Sequence, residues 1–220
     1  MNDAVNDRDP TGRKLTKEQN EKSFKESFWQ HALQYGLQYD IAGRFATANG
    51  FTPVCANLLH HGVELLMKAR LARDDSVKTI REYGHKNKGY GHDIPRLWVE
   101  FKGRRGFAVP AEFDKIIEGL HAFEDIRYRV HLIDHGAMIS FGLFDVLEPT
   151  CDNGQRPERS YSLQLPQIDR LMGLLFEASG GNPKVFLQEI TAGHERFLIY
   201  YETLRTTLLG RDTAGTSTRT

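Results

Sequence analysis

The segment Asn57 to Ala69, NLLHHGVELLMKA, most constrains what this chain can fold into. Val54, Leu58, Leu65 and Ala69 make one apolar stripe at helical steps, and Cys55, Leu59, Gly62 and Leu66 make an adjacent one. An apolar surface that wide belongs to a central helix with several neighbours. Within it, His60, Glu64 and Lys68 recur every four residues and so share a face. That row reads either as a metal pair, His60 or His61 with Glu64, or as a polar edge carrying an i,i+4 ion pair. The sequence offers no second helical His/Glu motif to complete a metal centre, so no metal and no cofactor are expected. Leu58, Leu65 and Leu66 are expected in the core.

The same periodicity extends along most of the chain. Phe24, Phe28, Ala32, Tyr35, Tyr39, Ala42 and Ala46 place a first helix at about Ser23 to Ala48, closed by Asn49-Gly50. Thr52 and Pro53 suit the cap and first position of the second helix, which ends near Arg73. Asp93 is a good cap for a short helix over Ile94 to Phe101, stopped by Gly103 and Gly106. A further helix from Pro110 to about His131 carries Phe113, Ile116, Leu120 and Phe123, and then Arg127 and Val130. Pro166 to Ala178, closed by Gly180-Gly181, and Asn182-Pro183 to about Leu209 read as the last two. Between them the period changes. AMISFGLFDVLEP and RSYSLQL flank Asn153-Gly154, which predicts a short β-hairpin insertion within 137–165. The fold class is therefore mainly α, a helical bundle with one hairpin. Polar termini, 1–18 and 210–220, read as mobile tails around a single domain, 19–209.

Charge narrows the function classes. Lys and Arg total 29 against 29 Asp and Glu, which argues against a protein that coats DNA non-specifically. Locally the balance shifts. Lys68 to Arg105 holds eleven Lys and Arg against five acids, while 111–125 holds five acids and one Lys. A basic segment of that kind is either a nucleic-acid surface or a solvated face. Two cysteines far apart, Cys55 and Cys151, give no disulfide framework and fit a reducing compartment. The N-terminus lacks the apolar core of a secretion signal, and no apolar run reaches membrane-span length, so a cytoplasmic protein is expected.

Gly84 to Asp93, GHKNKGYGHD, has the glycine spacing of a phosphate loop. Tyr90-Gly91 stands where Lys-Ser/Thr is required, so the motif fails, and a flexible loop with Asp93 as a helix cap is the preferred reading. FEDIRYRVHLIDH, Phe123 to His135, is richer. Its Arg127 continues a stripe that is apolar for its first four members, and His131 lies one turn on. A charge that breaks an apolar pattern needs partners, and Glu124 is three residues back.

Taken together, NLLHHGVELLMKA, GHDIPRL (Gly91 to Leu97) and FEDIRYR (Phe123 to Arg129) resemble the HEPN family, the higher eukaryote and prokaryote nucleotide-binding domains. The first is similar to that family's second helix, the next to its Gly-His-Asp turn, and the last to its Arg-Tyr-Pro element. The resemblance spans roughly residues 24 to 135. It implies an up-and-down helical bundle of the HEPN type, commonly a homodimer. The implied function is RNA or nucleotide binding, with metal-independent endoribonuclease activity in many members. In other members it implies a non-catalytic interaction or dimerisation module, often beside a nucleotidyltransferase-type protein. The nuclease motif pairs an Arg with a His that has four to six residues between it and the Arg. Arg129 and His135 fit that spacing, whereas Arg127 and His131 stand closer. Val130 replaces the usual polar residue after the arginine, and Arg129 replaces the proline of Arg-Tyr-Pro. The resemblance thus makes Arg129, His135, Arg127 and His131 the candidate catalytic residues, with arginine stabilising phosphate charge and histidine moving protons.

Overall fold

The structure, a computed structural model, describes residues 15–51, 54–85, 89–105, 109–128, 138–142 and 160–182, together with Gln188, Ala192, Glu195 and Arg196. The chain divides into two compact units, Met1–Gly181 and Asn182–Thr220. In the second, the four described residues are helical, and the Arg196 Nε donates to the Ala192 carbonyl at 3.1 Å. The last helix expected from the sequence otherwise lies outside the described residues.

The first unit is mainly helical. Helix α1 spans Lys17–Ala48 and starts earlier than the apolar pattern indicates. The reason is local. Thr16 and Gln19 form a reciprocal capping box, with Gln19 N on Thr16 Oγ1 at 3.2 Å and Thr16 N on Gln19 Oε1 at 2.9 Å. Helix α2, Val54–Ala72, packs most extensively against α1. Their crossing is made of glycines. A Cβ on Gly36 would stand 2.9 Å from Leu66 Cδ2, and one on Gly43 2.8 Å from Leu59. One on Gly62 would stand 3.1 Å from the Gly36 carbonyl. Gly36 thus meets the C-terminal half of α2 and Gly43 its N-terminal half, so the two helices run antiparallel.

On α2 the two apolar stripes are not equal. Cys55, Leu59 and Leu66 are fully buried, whereas Leu58 and Leu65 are only half-buried and Val54 is exposed. The core expectation therefore holds for Leu66 and is corrected for Leu58 and Leu65. The close glycine crossing turns the second stripe, not the first, into α1.

A short helix α3, Val77–Glu82, follows; the sequence pattern alone does not reveal it. Ser76 caps it through Thr79 N at 3.2 Å, and its one buried residue is Ile80. Helix α4, Ile94–Arg105, begins at the expected cap, where Asp93 Oδ1 accepts from Arg96 N at 3.0 Å. It runs through Gly103 to Arg105 instead of stopping at that glycine, since a lone glycine inside a helix costs only about 1 kcal/mol relative to alanine. Helix α5, Glu112–Tyr128, buries Phe113, Ile116, Leu120 and Phe123 as the stripe predicts, and Ile117 beside them. Trp98 and Lys102 of α4 both donate to Asp114 of α5, at 2.6 and 2.7 Å, and pin the two together.

Strands β1, Met138–Gly142, and β2, Ser160–Gln164, pair in parallel, with Met138 opposite Ser160 and Gly142 opposite Gln164. The expected hairpin is corrected here. Parallel strands require a crossover of about a dozen residues or more, so a tight turn at Asn153-Gly154 cannot join them. The connection, 143–159, lies outside the described residues. Strand β2 packs Leu163 near Gly119 of α5 and runs directly into helix α6, Leu165–Ala178. Gly180, at φ 83, closes α6 in the left-handed region as expected. Just before it, Ser179 ties three helices. Its Oγ donates to the Leu66 and Leu175 carbonyls, at 2.8 and 2.7 Å, and its carbonyl accepts from Trp29 Nε1 at 2.7 Å. No described helix is long and apolar enough to cross a membrane.

Candidate functional site

The row His60, Glu64, Lys68 does not form a polar edge. All three are buried, at 1%, 4% and 6% exposure. A carboxylate and an ammonium in such a place are tolerable only when fully partnered. Glu64 is. Its Oε1 pairs with the Lys68 ammonium, which also donates to the Gly91 carbonyl at 2.8 Å. Its Oε2 faces His61 Nδ1 at 3.3 Å and His92 Nδ1 at 3.0 Å. Burial pushes the Glu64 carboxyl up. The His61 hydrogen bond, the Lys68 charge and the His92 hydrogen bond outweigh burial and hold it down at about 2.

This network joins two segments far apart in sequence. Gly91 adopts φ 54, which presents its carbonyl to Lys68 and brings His92 over Glu64. Gly89 is required by space, because a Cβ there would lie 1.8 Å from the Glu82 carbonyl. Gly89 and Gly91 thus serve a tight turn against α3 in place of the flexible loop expected here, while the expected cap at Asp93 is present. Lys86 to Lys88 lie outside the described residues.

Rings extend the cluster. His61 lies 5.4 Å from His92 and 5.4 Å from Tyr39, centroid to centroid. His60 lies 5.6 Å from His61 and 6.4 Å from His121 of α5. Burial, opposed by Glu64, lowers His60 to about 4, so its ring is neutral at pH 7. Ligand atoms of His60, His61 and Glu64 come within 4.8 Å of one another, so the structure brings together the three residues that the sequence offered as alternative pairs. Sequence reading missed His92, His121 and Tyr39 as neighbours. For His121 a signal existed, since it falls one turn after Ile117 on a buried face; for Tyr39 and His92 only the tertiary packing brings them in.

A second buried carboxylate, Asp75, sits under the same turn. Tyr83 donates to its Oδ2 at 2.6 Å, and Arg104 pairs with its Oδ1 and lies 3.4 Å from Glu100. Burial and this hydrogen bond push the Tyr83 phenol far up, so it remains a donor at any ordinary pH.

Six of the eleven cations in the basic stretch Lys68 to Arg105 are engaged within the fold. Lys68 pairs with Glu64, Arg70 with Asp74, Lys102 with Asp114, and Arg104 with Asp75. Arg96 donates to the Gly89 carbonyl and lies over Tyr90, and Arg81 lies over Phe24. The backbone of Arg127 forms part of the last turn of α5. Its side chain, and Arg129, His131 and His135 altogether, lie outside the described residues.

No protein-family model, curated protein or solved structure matches this chain.

Proposed function

We propose that this chain is an HEPN-like helical protein that binds RNA or nucleotide through the segment from Arg127 to His135. One observation carries the reading. The helix with His60, Glu64 and Lys68 and the Gly91-His92-Asp93 turn, two of the three segments that resemble that family, close on one another in a single buried network. Such a joint holds α2 to the start of α4, and α4 is pinned to α5, the helix that leads into the arginines and histidines. In the ribonuclease form of this reading the 2′-OH attacks the adjacent phosphorus and the 5′-oxygen leaves. His135 or His131 moves the proton, and Arg129 or Arg127 stabilises charge on the phosphate in the transition state. In the form that only binds, the same groups contact phosphate.

A specific observation favours a second reading, a non-catalytic interaction or dimerisation module that forms a homodimer or sits beside a nucleotidyltransferase-type protein. Four of the eleven cations of the basic segment are already neutralised internally, by Glu64, Asp74, Asp114 and Asp75. Such cations add little to a phosphate surface.

Single-stranded RNA binding as a function of salt separates the two, with cleavage followed in parallel under excess chelator. Measurable binding at low salt is expected, with Arg129→Ala weakening it and flattening the salt slope. In the ribonuclease form, His135→Ala lowers cleavage by about 10²–10⁴-fold while binding persists. Absence of RNA binding by the wild type at low salt would overturn the nucleic-acid reading and leave the interaction module.

A further inference from the structure

We propose that His60, His61 and Glu64 of α2 form a binding site for one divalent transition-metal ion of the zinc class. Each residue would give one ligand atom, with water in the remaining position.

The three side chains converge. One ligand atom from each lies within 4.8 Å of the other two. Glu64 Oε2 and His61 Nδ1 stand 3.3 Å apart. Tetrahedral zinc, with bonds of about 2.0–2.1 Å, separates its ligand atoms by about 3.3–3.4 Å. Separations inside the set therefore exceed that spacing by no more than about 1.5 Å, a gap that side-chain rotation closes. All three donors also stand on one helix, held at their own level. Gly62, between His61 and Glu64, packs so closely on α1 that a Cβ there would lie 3.1 Å from the Gly36 carbonyl. Such a support positions a ligand set before an ion arrives. Two imidazoles and one carboxylate favour zinc, nickel or copper over calcium or magnesium, which take oxygen ligands. Three protein ligands with one open position match the make-up of zinc sites that act on a substrate, whereas structural sites are closed by a fourth.

Two neighbours already engage Glu64, and neither displaces the ion. Lys68 pairs with the other oxygen, Oε1, and with the Gly91 carbonyl. His92 Nδ1 faces Oε2 at 3.0 Å, and a carboxylate oxygen has lone pairs for a donor and an ion together. Both neighbours then act as outer partners that hold the carboxylate in one orientation. The ammonium charge weakens the ion's binding, and affinity in the micromolar range is expected. Solvent reaches the set through His61, whose side chain is 22% exposed. Metal binding here is independent of the nucleic-acid reading.

The test uses the full chain, first freed of metal by chelator. Zinc is titrated in competition with a chromophoric chelator, and cobalt(II) serves as a spectroscopic substitute. One ion per chain is expected, with the strong visible absorption of tetrahedral cobalt. His61→Ala should keep the fold by circular dichroism, weaken zinc at least tenfold and abolish the cobalt absorption. His61→Gln, which retains a polar group beside Glu64, is the second variant and carries the same expectation. His92→Ala, at a side chain 62% exposed, should keep one ion per chain and the cobalt absorption, and lose less affinity than His61→Ala. Absence of stoichiometric binding at micromolar zinc would overturn the site. So would a loss of less than tenfold in the folded His61 variants, because the ion would then lie on other histidines. A loss in His92→Ala as large as in His61→Ala would overturn this ligand set.

Discussion

Asp40 on α1 and Glu64 on α2 are both buried carboxylates, and burial has opposite outcomes for them. Asp40 is fully buried, with its Oδ2 accepting from Arg44 at 2.8 Å, while its Oδ1 has no hydrogen-bond partner among the described residues. Burial raises its pKa, and Arg44, itself shared with Asp169 at 2.6 Å, does not fully offset that. Glu64 has Lys68 on one oxygen and two histidines on the other, and its pKa falls to about 2. Desolvation acts on both groups; the number and arrangement of partners decides the sign. Burial raises the Asp40 pKa while Arg44 links it to Asp169 and so α1 to α6, whereas Glu64 is held as an anion around which titratable groups collect.

The largest expected effect comes from unbalancing Glu64. Lys68→Met leaves a buried anion without its ammonium and frees the Gly91 carbonyl. A loss of about 3–5 kcal/mol is expected in urea unfolding. Asp40→Asn should cost much less, about 1–2 kcal/mol, because burial already penalises the charged form there and an amide can still accept from Arg44. Equal losses in the two variants would break the comparison.

Acid should sharpen it. The folded pKa of His60 is lowered to about 4, so the unfolded chain binds more protons than the native state below about 6.5, the ordinary value. Stability therefore falls as pH drops from about 6.5 to 4. Glu64, lowered to about 2, adds a second loss as pH falls from about 4.5 towards 2. Asp40 has the opposite sign. Its raised pKa contributes stability below the ordinary 3.8 that disappears as pH rises through the folded value. Melting temperature followed across this range should drop with acid in the wild type, and more steeply in Asp40→Asn. A flat acid limb would show that neither His60 nor Glu64 is buried as described.

The smallest effect belongs to the rim. His92→Ala removes one of several partners of Glu64 at a mostly exposed position, and a change under about 1 kcal/mol is expected without metal. A loss as large as that of Lys68→Met would make the turn, not the ion pair, the element holding Glu64.

Helical periodicity made much of the fold legible. The Phe113–Phe123 stripe, the Asp93 cap and the Gly180 stop appear where composition and turn chemistry place them, because each is a local effect. What was not legible depends on packing between distant segments. Leu58 and Leu66 look alike in sequence, and only the glycine crossing with α1 decides which is buried. Helix α3 is too short for a period to emerge. The direction of β1 against β2 is a long-range property that an Asn-Gly pair cannot report. For the site, the shared face of His60, Glu64 and Lys68 was readable from steps of four. Its depth was not, nor was the arrival of His92 from 28 residues away.

The glycine crossing of α1 and α2 also bears on how the chain folds. These two helices are consecutive and are joined through residues 49–53, so bringing them together closes a short loop at little entropic cost. Their contacts can form before the distant pairing of β1 with β2. The α1–α2 pair is therefore the expected folding nucleus. Gly43→Ala, which drives a methyl into Leu59, should slow refolding, whereas truncating Leu163 on β2 should chiefly speed unfolding. The two arms of a chevron plot would separate these effects.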